Sequence, residues 1–110
     1  MFASNFMLAD TDVRFLRGEE LLTAYGEAAT IASGNTMTNY FCSRCGTLMY
    51  RITSGAPELR VARIGTVDDF SLHDTLLRPA KEQYTKYRNS WVAKIGDTDN
   101  REEFHDAFWP

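Results

Sequence analysis

The chain has 110 residues, 44% of them hydrophobic and 13% aromatic, with a formal net charge of −3. That is room for one domain, residues 1–110, with a modest core, and the acidic balance excludes a basic nucleic-acid face. No apolar run nears the roughly 20 residues of a membrane span. Met1-Phe2-Ala3-Ser4-Asn5-Phe6 lacks the basic start and long apolar core of a signal peptide, so a cytoplasmic, membrane-free protein is expected.

In chain order, residues 3–8 read as a strand and Ala9-Asp10-Thr11-Asp12 as a turn. Val13-Arg14-Phe15-Leu16 reads as a second short strand, closed by Arg17-Gly18. Glu19 to Tyr25 reads as one helical turn leading into a strand, broken at Gly26-Glu27. Residues 28–32 are apolar and β-compatible, and Ser33-Gly34-Asn35 turns the chain. Met37, Asn39 and Phe41 then alternate with Thr36, Thr38 and Tyr40. Beyond the next turn Leu48, Tyr50 and Ile52 alternate with Thr47, Met49 and Arg51. Period two on both sides of a short turn predicts a hairpin, with Cys42-Ser43-Arg44-Cys45-Gly46 at its tip. Ser54-Gly55-Ala56-Pro57 is a loop and residues 59–64 a further strand. Val67 to Phe70 is a turn, residues 71–80 are irregular, and residues 82–87 read as a strand, with a helical alternative from the spacing of Tyr84 and Tyr87. Ser90-Trp91-Val92-Ala93 follows, then a charged tail from Asp97. Short strands with turns between them predict an all-β fold of short antiparallel strands.

Cys42 and Cys45 have the spacing of a zinc knuckle, and CxxC without a secretory signal points to metal or redox use. A tetrahedral site takes four donors, and the chain has two cysteines. Three readings stand: a second copy completes a Cys₄ site across a two-fold axis; His73, His105 or an aspartate completes it; or the pair is unliganded or disulfide-bonded. His73, beside Asp74, is a candidate general base or a solvated loop histidine. Asp68 and Asp69 are candidates for acid–base work or for capping a turn. Tyr84, Tyr87 and Trp91 either line a pocket, with the hydroxyls as donors to a developing oxyanion, or form one face of a core strand. Arg63 interrupts an apolar strand, and a buried arginine needs a partner. It is either an anion-binding or a salt-bridged residue.

Phe2-Ala3-Ser4-Asn5-Phe6, Gly18…Leu22…Tyr25, Phe41-Cys42-Ser43-Arg44-Cys45-Gly46-Thr47, Gly65-Thr66-Val67-Asp68-Asp69 and Glu82…Trp91 occur in an order that resembles the glutathione-dependent formaldehyde-activating enzyme (CENP-V/GFA) family. The resemblance covers roughly residues 2–93 and is strongest to fungal members. It implies a β-tent (Mss4-like) fold and a carbon–sulfur lyase that joins or splits glutathione and an aldehyde, with glutathione as co-substrate. It also implies a structural zinc shared by Cys42, Cys45 and an N-terminal CxC, and a catalytic zinc held by further N-terminal cysteines. Those N-terminal cysteines would precede Met1, so half a structural site carries over. Phe2, Ser4 and Phe6 correspond to positions beside the catalytic metal. With Arg63 and Trp91 they are the expected substrate-binding residues, and His73, Tyr84 and Tyr87 the expected catalytic ones. Two functional expectations follow. One is a lyase or a metal-independent acid–base enzyme for dehydration, cyclisation or isomerisation in a biosynthetic pathway. The other is a non-catalytic, truncated paralogue for ligand binding or dimerisation. Without the N-terminal strands a sheet edge and apolar surface are left to pair, which predicts a homodimer.

Overall fold

The structure is a computed structural model that describes residues 2–100. Its main body is one antiparallel sheet of five strands: β1 (Asn5–Ala9), β2 (Leu22–Glu27), β3 (Met37–Cys42), β4 (Leu48–Thr53) and β5 (Ala56–Arg63). No α-helix occurs among the described residues, and the short helical turns are all 3₁₀. The strand order is β1-β5-β4-β3-β2. Strands β2 to β5 form a meander, and β1 returns to the far edge, where Phe6 pairs with Ala62 and Leu8 with Arg60. A small parallel pair, β6 (Lys81–Glu82) and β7 (Asp99–Asn100), lies apart from this sheet.

The β3–β4 hairpin forms as the alternation predicts. Gly46 N–H donates to Cys42 O at 2.8 Å and Cys42 N–H to Thr47 O at 2.9 Å. Gly46 has φ of 76°, a left-handed conformation that closes the tip and that side chains disfavour.

The strand order dictates what covers the sheet. β1 and β2 occupy opposite edges, so residues 10–21 must cross four inter-strand steps, a span of about 19 Å. Twelve residues reach roughly 40 Å when extended. The slack is taken up by two 3₁₀ turns, Asp10–Asp12 and Glu19–Leu21. The expected strand at Val13–Leu16 is therefore not a strand. Both its neighbours in sequence are committed to sheet edges, so it runs over a face, with Leu16 left exposed.

Two other segments differ from expectation. Residues 28–32 turn rather than extend, with Ile31 N–H donating to Ala28 O at 3.1 Å. The strand expected over 82–87 stops after Glu82. Tyr84 takes φ of 57°, which ends extension, and Thr85–Tyr87 is a 3₁₀ turn. The tail beyond Asn100, with His105, lies outside the described residues.

Burial is thin. Tyr50 at 9% and Ile64 at 6% relative exposure are the buried hydrophobic residues among those described. Tyr50 sits at the centre of the face that residues 10–21 cross.

Candidate functional site

Because side chains alternate along strands, the pairs Phe6–Ala62, Tyr50–Ala62 and Tyr40–Tyr50 put these residues on one face. The Tyr40 and Tyr50 rings stack with centroids 4.7 Å apart. Arg60, on the same face, lies 4.7 Å from the Tyr50 ring centroid and 5.6 Å from that of Phe15. Its Nε donates to Asp10 Oδ1 at 2.9 Å, so the cation over the ring is held by a carboxylate.

Between this face and the crossing segment is a cavity of about 310 Å³. The sheet contributes Phe6, Leu8, Leu22, Met49, Tyr50 and Ala62. Val13, Arg14, Phe15, Arg17 and Gly18 form the opposite wall, and Thr66 comes from the turn after β5. Burial pushes the Tyr50 phenol above its ordinary pKa, against the acidifying charge and hydrogen bond of Arg60. Like any phenol at neutral pH, Tyr50 is a neutral hydrogen-bond donor. Two arginines on the wall and a neutral phenol give an otherwise apolar space its polar groups, the usual composition of a small-molecule site.

Of the residues expected from sequence to form a site, Phe6 lines this cavity and the others do not. Phe2 and Trp91 are exposed, at 66% and 68%. Ser4 accepts the Ile64 N–H at its carbonyl oxygen, 3.1 Å away. His73 Nε2 lies 3.1 Å from Val67 O, and its ring meets Phe70 edge-on, so it ties down its own loop. Asp69 accepts from Ser71 N–H and Oγ and caps the turn. Tyr84 is partly exposed and Tyr87 is exposed at 71%, with Lys86 Nζ 5.0 Å from the Tyr87 ring centroid. Arg63 lies on the opposite face of the sheet, bonded to Asn5.

Cys42 and Cys45 are free thiols at the hairpin tip. Cys45 Sγ is 3.2 Å from Thr47 Oγ1. The Thr47 hydroxyl, then its amide, then the Cys42 thiol hold the Cys45 pKa below that of an ordinary thiol. The pair suits one edge of a zinc tetrahedron. Among the described residues, however, no group of three or more His, Cys, Asp or Glu side chains is placed to hold a metal ion. The donors among the described residues thus fall short of a complete zinc site.

A sequence model of the glutathione-dependent formaldehyde-activating enzyme family matches residues 1–87. The chain belongs to this family. No curated protein and no solved structure matches it. Membership suggests glutathione-related, enzyme-like work on a small molecule. The family match spans all five strands of the sheet, the crossing segment and the CxxC hairpin. Among the described residues no helix is long and apolar enough to cross a membrane.

Sequence reasoning missed Tyr50, Arg14, Arg17 and Arg60 as site residues. The alternation of Leu48, Tyr50 and Ile52 marked an inward face, but no local pattern showed that residues 13–18 would roof it.

Proposed function

We propose that the chain binds glutathione, or the adduct of glutathione with a small aldehyde, in the cavity over Tyr50 and acts on the adduct's carbon–sulfur bond. The carrying observation is a buried phenol in an apolar cavity with two arginines on its wall. In the forward direction the thiolate sulfur bonds the carbonyl carbon, and the C=O π pair moves onto oxygen. Tyr50 donates a hydrogen bond to that oxygen as charge develops. The oxygen takes a proton and the thiol's proton goes to water, so the sum is one glutathione plus one aldehyde giving one hydroxyalkyl thioether. Arg14 and Arg17 hold the tripeptide's carboxylates. These roles fall to the chain's own side chains. Isomerisation or dehydration of another small molecule would use the same phenol.

The test is exchange NMR of glutathione with formaldehyde, with and without protein. Wild type accelerates exchange, and Tyr50→Phe loses about 10²-fold of that acceleration while still binding glutathione. Wild type that binds glutathione without accelerating exchange refutes the lyase reading, and absence of binding refutes the cavity reading.

A second reading, a non-catalytic module that pairs with a second copy, is favoured by the thin core. Tyr25 is exposed on edge strand β2, and Leu16 and Phe70 are exposed nearby in sequence to the sheet. An open edge and exposed apolar side chains favour self-association. A sedimentation series that shows a monomer at all working concentrations would remove this reading.

A further inference from the structure

The opposite face of the sheet carries two arginines whose situation is unlike that of Arg60 and Arg88. Arg60 pairs with Asp10, and Arg88 with Glu82. Arg51 and Arg63 make no ion pair with a carboxylate among the described residues. Arg51 Nε donates to Asn39 Oδ1 at 2.7 Å, and Arg63 Nη1 donates to Asn5 Oδ1 at 2.9 Å. In each case the partner is a neutral amide oxygen, which engages one N–H of the guanidinium fork and fixes its direction.

The register brings the two together. Asn39 pairs with Arg51, Arg51 with Val61, and Asn5 with Arg63. Arg63 is two residues beyond Val61, which makes it the diagonal neighbour of Arg51 on the same face, roughly 7–8 Å away at the backbone. Both side chains are half-buried. Burial holds the Arg63 pKa down, and the positive charge of Arg51 lowers it further. Glu27, an acid on the same face, feels the Arg51 charge weakly, but its carboxylate oxygens accept from Thr30 N–H and Oγ and make no ion pair with either arginine.

We propose that Arg51 and Arg63 form a two-point site for an oxyanion, a carboxylate or phosphate carried by a small molecule, on the sheet face opposite the cavity. Each guanidinium offers a planar fork that matches such a group, and each fork is already aimed by an asparagine. Bound anion relieves the repulsion between the two cations and supplies the charged partner that a half-buried arginine lacks. The inference does not rest on the reading of the cavity, because none of these four side chains lines it.

The experiment is NMR titration of the ¹⁵N-labelled full chain with succinate and, separately, with inorganic phosphate. Glycerol serves as the uncharged control. At least one anion is expected to shift the Nε–H signals of Arg51 and Arg63 in the millimolar range, less at higher salt. Response to succinate alone assigns a carboxylate ligand and response to phosphate alone a phosphate ligand. Arg63→Gln and Arg51→Gln are each expected to weaken binding about ten-fold or more. Arg63→Lys, which keeps the charge and the fold's electrostatics but loses the fork, is expected to bind at an intermediate level. Asn5→Ala leaves both charges in place and is expected to weaken binding less than Arg63→Gln. No shift of either Nε–H signal up to about 20 mM of both anions overturns the proposal. So does a shift that persists undiminished in Arg63→Lys and Asn5→Ala.

Discussion

Glu82→Gln tests what holds the segment after the sheet. The Glu82 carboxylate accepts Arg88 Nη1 at 2.7 Å, Thr98 Oγ1 at 2.6 Å and Ile95 N–H at 3.4 Å. The hydrogen bond from Arg88 leads, followed by that from Thr98, and together they bring the Glu82 pKa from 4.5 down to about 2. A shift of that size corresponds to a ceiling of roughly 3 kcal/mol. The side chains of Glu82 and Arg88 retain 12% and 21% of their accessibility, and solvent screening reduces the figure to about 1–2 kcal/mol. Glutamine keeps the shape and one acceptor oxygen but loses the charge. It also removes the charged partner of a guanidinium whose Nη2 is already buried without a partner among the described residues. The folded pKa lies below the unfolded one. The stabilisation is therefore complete above about pH 4.5 and disappears as pH falls through about 2. Hydrogen exchange at Thr98 N–H, bonded to Ile95 O at 3.1 Å, and at Asp99 N–H, bonded to Ala80 O at 2.9 Å, reads the segment directly. At pH 7 the variant is expected to exchange about ten-fold faster than wild type, and the ratio to approach one near pH 2. Equal protection at pH 7, or a ratio that stays constant down to pH 2, refutes the reasoning.

Tyr50→Ala removes the buried ring that Tyr40, Phe15 and Arg60 pack against. It is expected to cost about 3 kcal/mol or more in urea unfolding, whereas Tyr50→Phe should stay within about 1 kcal/mol of wild type. Gly46→Ala meets nothing within 4 Å, but its φ is +76°. A loss of about 1 kcal/mol, from backbone strain alone, is expected in the same assay. Elemental analysis of chelator-free protein is expected to find about one zinc per two chains, because the described residues bring two thiolates and no third donor to a four-donor site. Cys42→Ser should remove that zinc, and one zinc per wild-type chain would contradict the half-site reading.

The features legible in the sequence are those set by neighbours along the chain. The β3–β4 hairpin was readable because strict alternation flanks a turn that needs a left-handed residue, and Gly46 stands there. The all-β class was readable for the same reason. The segment Val13-Arg14-Phe15-Leu16 was misread because its composition suits a strand as well as it suits an extended cover. Only the placing of β1 beside β5, a pairing between residues 50 to 58 apart, forces it across the face. Over residues 82–87 the extended reading holds for Glu82 and the helical alternative from the Tyr84–Tyr87 spacing for the 3₁₀ turn Thr85–Tyr87; nothing local shows that Tyr84 is where the chain switches. Arg63 could be singled out, since a charge within an apolar strand asks for a partner, yet the choice between ion pair and anion site was not open to sequence reasoning. Its amide partner lies 58 residues away and is chosen by register. The same register sends Phe6 and Arg63 to opposite faces, although both were expected around one ligand. A one-residue change of parity in β1 or β5 would reverse that. Strand pairing, more than the identity of any residue, therefore separates the cavity over Tyr50 from the arginine pair behind it. Each face can be tested while the other is left intact.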